Sequence, residues 1–185
     1  CEIDKHAEKA YRAIHHIKDS EVYYEDARKI DTETMPDFGL LCAGFPCQSF
    51  SIAGKRRGFE DARGTLFFDI ARVLKAKQPA FFLLENVPGL LSHDEGRTFT
   101  TILSTLSELG YGVEWQVLNS KYFGVPQSRK RVYIVGHLDT KCAGKILPLP
   151  EADGKALIQI IRGAQGERVY DPAGVACTQL SSSGG

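Results

Sequence analysis

This chain of 185 residues has no excess of charge: Lys plus Arg and Asp plus Glu number 23 each. Net charge therefore gives no sign of a nucleic-acid partner. The five cysteines (Cys1, Cys42, Cys47, Cys142, Cys177) form no Cys-x-x-Cys, and no histidine stands at zinc spacing from them. That excludes a zinc module, argues for a reducing compartment and leaves no metal site to expect. The histidines are scattered, and adjacent His15 and His16 fall on different helix faces, a poor arrangement for joint ligands. No apolar run reaches membrane length and no signal peptide is visible, so a cytoplasmic location is expected. Internal repeats are absent, and low complexity is confined to Ser181–Gly185.

What is present reads as about one domain, long enough to bury a real core. Composition is ordinary for a globular chain, 43% apolar and 25% charged. Ala7, Ala10, Tyr11, Ile14 and Ile17 recur at helical spacing after Asp4, which predicts an N-capped helix. Residues 40–44 and 80–84 are short apolar runs of strand character. Between them Leu66, Ile70, Val73 and Leu74 predict a helix that stops before Pro79. Phe99, Ile102, Leu103, Leu106 and Leu109 predict another, ended by Gly110. Val22–Glu25, 113–118 and 131–136 complete the expected strands. Strands alternating with helices imply a doubly wound α/β fold with a mostly parallel sheet. In it Cys42 is expected to be a small core residue.

Two strand ends carry the chemistry. Gly44-Phe45-Pro46-Cys47-Gln48-Ser49-Phe50-Ser51 follows the first apolar run, and Glu85-Asn86-Val87 follows Ala80–Leu84. Open α/β sheets present their ligands at the carboxyl ends of strands. A potential thiolate beside a potential acid suits an electron-poor ring that needs attack at one carbon and protonation at a nearby nitrogen. Burial of Glu85 after an apolar strand would raise its pKa towards acid duty. Basic residues cluster locally despite the neutral total: Lys55, Arg56, Arg57 and Arg63 in one segment, and Lys121, Arg129, Lys130 and Arg131 in another. Arg129 and Arg131 alternate and so share one side of an extended strand. Residues 48–64 are polar, contain Gly54, Gly58 and Gly64, and read as a long mobile loop.

With these motifs the sequence resembles the C5-cytosine-specific DNA methyltransferases, above all the bacterial restriction–modification type that recognises GCGC. The resemblance rests on the Pro-Cys-Gln loop, the stretch Gly58–Phe68, Glu85-Asn86-Val87 and Gly124–Arg131. It runs from residue 1 to about 139 and returns at Gln165–Tyr170. It implies a Rossmann-like, S-adenosylmethionine-dependent catalytic domain over 1–139 that lacks its first strand and Gly-rich loop. Residues 140–185 are then part of a target-recognition region.

The resemblance also implies roles. Cys47 would add to carbon 6 of a flipped-out cytosine, activating carbon 5, with Glu85 protonating ring nitrogen 3. Arg131 would hold oxygen 2, and Arg129 the surroundings of Cys47 or a phosphate. Glu2 would bond the cofactor ribose, Ile3 pack on adenine, Asp26 meet the adenine amino group, and Pro46 and Leu66 line the same cleft. The 48–64 loop would close over the extruded base, with Gln48, Ser51, Lys55 and Arg63 as phosphate contacts. Gln165 would fill the hole left by the flipped base, and Arg168 would bond a guanine edge. The implied partners are duplex DNA and a cognate restriction endonuclease. A tRNA cytosine-5 methyltransferase and a non-catalytic DNA-binding or regulatory relative are the alternatives.

Overall fold

The computed structural model describes residues 1–18, 20–46, 66–124, 127–142 and 144–150, and three short strands further on. Helix α1 (Lys5–His15) starts where expected: Asp4 accepts from the backbone N–H groups of His6 and Ala7. Strand β1 (Leu40–Gly44) leads towards helix α2 (Leu66–Lys77), and strand β2 (Phe81–Asn86) follows. Helix α3 (Arg97–Glu108) ends before Gly110, whose φ of +90° favours glycine. Strand β3 (Gly112–Asn119) and strand β5 (Lys130–His137) flank the short β4 (Gln127–Ser128). Beyond them lie β6 (Gln159–Ile161), β7 (Val169–Tyr170) and β8 (Ala176–Cys177), with β6 on β7 and β8 on β4.

The central sheet has the order β1-β2-β5-β3. Strands β1 and β2 are parallel, while β5 runs antiparallel to both β2 and β3. β1, β2 and β3 therefore share one direction, and β5 alone is reversed. Helices α2 and α3 supply the crossovers that like-directed strands require. The result is a mixed α/β sheet of Rossmann-like, mostly parallel character.

Both helices pack on one face of this sheet. Phe82 and Leu84 of β2, Val132 and Ile134 of β5, Phe67 and Leu74 of α2, and Ile102 and Leu106 of α3 are fully buried together. The ring of Phe99 meets Trp115 edge-on at 5.2 Å, tying α3 to β3. Because side chains alternate along a strand, the opposite face carries Leu40, Cys42 and Gly44 of β1 and Phe81, Leu83 and Glu85 of β2. From β5 and β3 it carries Arg131, Tyr133, Val135 and His137, then Gly112, Glu114, Gln116 and Leu118.

Two expectations need correction, at Cys42 and at residues 22–25. Cys42 is exposed, because its place in the alternation puts it on that second face while Leu41 and Ala43 point to the core. Helix α1 forms, but none of its residues is buried; Tyr11 and Ile14 are exposed. It is held by its cap, a Glu8–Arg12 ion pair at 2.8 Å and Arg12 over the Tyr23 ring. Residues 22–25 form no strand: they are irregular, with a bend at Glu25. Among the described residues their backbone tie is one bond, from the Glu2 N–H to the Tyr24 carbonyl at 3.2 Å, and a strand needs a paired neighbour.

Candidate active site

The carboxyl ends of β1 and β2 lie side by side, with Gly44 opposite Glu85 in the parallel ladder. Asn86, almost fully buried, donates from Nδ2 to the Phe45 carbonyl at 2.8 Å and accepts the Val87 N–H at 2.8 Å. One amide thus ties the chain two residues before Cys47 to the turn after Glu85. Phe45 anchors the same corner from the core side, its ring 5.5 Å from that of Phe67.

Glu85 is not buried as expected: its side chain keeps 37% of its accessible surface. It belongs to the sheet face that α2 and α3 leave open. Its Oε1 accepts from Arg131 Nε at 2.7 Å, and the Arg131 side chain is the more enclosed partner, at 18% exposure. Tyr133 of β5 stands directly opposite Glu85, so Arg131, two residues away, is a diagonal neighbour on the same face. Arg131 Nη1 also donates to the Lys130 carbonyl at 2.7 Å, which fixes the guanidinium plane. A Cβ on Gly44 would stand 3.3 Å from Glu85 Oε2, so the carboxylate lies close over the β1 backbone.

Arg129 is exposed and sits one residue before β5 rather than within it. Its N–H donates to Ser120 Oγ at 3.2 Å, and its carbonyl accepts the Ser120 N–H at 3.1 Å. Ser120 Oγ also bonds the Gln127 carbonyl, so one serine, not singled out from the sequence, braces both sides of this turn. Cys47, Gln48, Ser51, Lys55, Arg63, Gln165 and Arg168 lie outside the described residues.

The residues proposed for the cofactor divide into two groups. Glu2 and Ile3 are exposed, and Tyr23 Oη donates to the Glu2 carbonyl at 2.7 Å, which brings this segment beside the one ending at Asp26. Asp26 caps a short 3-10 turn through the Arg28 N–H and accepts from the Arg28 guanidinium at 2.8 Å. These bonds hold its carboxyl below the usual carboxylate range. Pro46 and Leu66 stand at the end of β1 and the start of α2. A cavity of about 470 Å³ lies beside this region, between the β1 edge, α2 and residues 22–38. Cys1, Tyr24 and Ala27 line it, whereas Glu2, Ile3 and Asp26 do not. Among the described residues no cluster of three metal-ligating side chains occurs, and no helix is long and apolar enough to cross a membrane.

Comparison with known proteins gives this arrangement its context. The family described as C-5 cytosine-specific DNA methylase matches residues 1–165. The type II methyltransferase M.NgoBV of Neisseria gonorrhoeae is 61% identical over 128 residues, 65% of this chain and 30% of that protein. The orphan methyltransferase M.SPRI of Bacillus phage SPR is 53% identical over 135 residues, 73% of this chain and 30% of its own length. The chain thus spans under a third of these curated relatives. Among solved structures, a DNMT2 variant from Spodoptera frugiperda superposes with a TM-score of 0.62 at 20% identity, over 81% of this chain and 46% of that one. That likeness reports the shared fold. The match over most of the chain and the close relatives together place the protein: it belongs to the C-5 cytosine-specific DNA methylase family.

Proposed function

We propose that this chain carries the catalytic centre of a DNA (cytosine-5)-methyltransferase that uses S-adenosylmethionine. The observation that carries the reading is the joined end of β1 and β2. There Glu85 pairs with Arg131 at 2.7 Å, and Asn86 holds the Phe45 carbonyl two residues before Cys47. A half-exposed ion pair stabilises a fold by roughly 0–1 kcal/mol. Placing a carboxyl and a guanidinium together on an open sheet face is worth more to a reaction than to folding.

In this reading the Cys47 thiolate forms a bond to carbon 6 of an extruded cytosine. Electron density moves onto ring nitrogen 3 and oxygen 2, and carbon 5 becomes nucleophilic. Glu85 takes up a proton as Arg131 turns from it towards oxygen 2, where negative charge develops, and delivers that proton to nitrogen 3. Loss of the carbon-5 proton to water, expulsion of the thiolate and return of the nitrogen-3 proton to Glu85 restore the aromatic ring. S-adenosylmethionine supplies the methyl group when bound. Glu2 and Asp26 suit it chemically, as acids on adjacent segments able to meet ribose hydroxyls and an adenine amino group; Asp26 would do so while already held by Arg28. The phosphate and base contacts proposed for Gln48, Ser51, Lys55, Arg63, Gln165 and Arg168 complete the reading. The partner is duplex DNA, and the type II relatives suggest a companion endonuclease with the same target.

Duplexes containing 5-fluorocytosine test the covalent step, because fluorine cannot leave as a cation and the adduct persists. The full-length protein should form a denaturant-stable complex with such DNA, and Cys47→Ser should abolish it. An adduct that survives Cys47→Ser, or that maps to exposed Cys42, sinks the assignment.

A further inference from the structure

Where the chain leaves the central sheet after β5, it is held by side chains of β3. Glu114 accepts the Gly144 N–H through Oε1 and the Leu147 N–H through Oε2, both at 2.9 Å. Gln116 accepts the Leu149 N–H at 2.7 Å and donates from Nε2 back to the Leu149 carbonyl at 2.9 Å. The second pair reproduces with a side-chain amide the two-way bonding that one strand gives another. Glu114 and Gln116 are two apart on β3 and so share a face. Gly144 and Leu149 are exposed and Leu147 half-buried, so these side-chain bonds replace water at the backbone and hold the segment to β3.

Register places this contact relative to the candidate active site. Gln116 is opposite Tyr133, Tyr133 is opposite Glu85, and Glu85 is opposite Gly44. These residues form one rung across the sheet, on the face that carries the Glu85–Arg131 pair. Gln116 therefore stands two strand spacings, about 10 Å, from Glu85. Under Glu114 lies His137, buried, whose Nε2 is 3.4 Å from Glu114 Oε1 and makes no hydrogen bond there. Its Nδ1 lies 2.9 Å from the Asp139 carbonyl, which can only accept, so Nδ1 carries a proton. A Cβ at Gly112 would meet His137 Cε1 at 2.5 Å, so a glycine opposite this histidine is what lets the ring lie flat there.

From this geometry we infer that Glu114 and Gln116 are positioning residues: they strap 144–149 to the sheet that carries the Glu85–Arg131 pair. In the proposed enzyme Gln165 and Arg168 follow the strap in sequence, so the inference rests on that reading for its effect on DNA. The strap itself does not. Loss of Gln116 should loosen the grip on duplex DNA and leave the bound reaction intact, since Gln116 bonds backbone and not substrate.

The test has two arms on the full-length protein. Amide exchange is measured first: Gln116→Ala should strip protection from Leu149 and leave Gly144 and Leu147 protected, whereas Glu114→Ala should do the reverse. The second arm is steady-state methylation of duplex DNA. In Gln116→Ala the KM for DNA should rise about tenfold, the worth of one or two net hydrogen bonds, with kcat within about twofold. Unchanged protection at Leu149 overturns the strap, as does a fall in kcat at constant KM. If Gln116→Ala folds poorly, Gln116→Leu, which keeps the bulk and loses both donor and acceptor, must show the same split. A wild-type protein without methyl transfer overturns the proposed function instead, and the exchange arm then decides the strap alone.

Discussion

Glu85 shows how one side chain can answer to two demands. Its place at the end of β2 puts it beside the chain that enters Cys47, while its ion pair with Arg131 keeps it aligned on an open face. Glu85→Gln preserves the shape and removes the acid. Methyl transfer should fall by about two to four orders of magnitude, the usual worth of general acid catalysis. DNA affinity should change little, because phosphate contacts supply most of it. Near-normal turnover in a radiolabelled-methyl assay would assign the protonation to another group. Glu114 makes a different prediction. The Leu147 N–H, then the Gly144 N–H and the nearby His137, hold its carboxyl below the ordinary glutamate value of 4.5. A carboxyl depressed on folding contributes stability that is complete above its unfolded value and is lost as pH falls through the folded one. Exchange protection at Gly144 and Leu147 should therefore persist at neutral pH and disappear on acidification below about 4.5. Protection that fades between neutrality and pH 5 would point to a different group.

At the scale of elements, the reversed strand β5 governs the design. It touches β2 on one side and β3 on the other, and it carries Arg131 on one face and Val132 and Ile134 on the other. Its close approach to the core is visible at Gly136, where a Cβ would stand 1.9 Å from Phe82 Cε1. The Phe82 ring is fully buried and lies edge-on to Tyr111 at 5.0 Å, so it has nowhere to move. Gly136→Ala should destabilise the protein by about 1–3 kcal/mol or more, the range for overpacking a filled core. Adding Phe82→Leu should recover part of that loss, a coupling that urea midpoints of the two single variants and the double variant would reveal. If the two losses simply add, the ring is not what the new methyl group meets. Tyr111 reports the same tight packing: burial pushes its phenol up to about 12, and its Oη donates to the Pro79 carbonyl at 2.9 Å.

Across the whole molecule, chemistry and packing are segregated by sheet face. One face is apolar and buried under α2 and α3. The other carries Glu85, Arg131, Glu114, Gln116 and His137, along with exposed Leu40, Phe81 and Leu83. The same rung that carries Glu85 ends at Gln116, so the strap over 144–149 and the Glu85–Arg131 pair share one sheet as support. A neutral total charge is compatible with a DNA substrate in this arrangement, since Lys121, Arg129, Lys130 and Arg131 gather at one end of β5 and its turn.

Local pattern was enough to locate the main elements of the core. Apolar periodicity marked α2, α3 and strands at 40–44 and 80–84, Asp4 marked a cap, and Pro79 and Gly110 marked stops, because each of these signals acts within a turn or two of chain. The motifs around Cys47, Glu85 and Arg131 likewise identified the family from residues alone. Periodicity could not say which strands become neighbours. The insertion of β5 beside β2, and with it the Glu85–Arg131 contact, depends on pairing between distant segments. Nor could it say what covers each face: Cys42 and Glu85 both looked buried by pattern and lie exposed and half-exposed. An alternating strand tells which residues share a face, but burial requires another layer to pack there, and that is decided only in three dimensions.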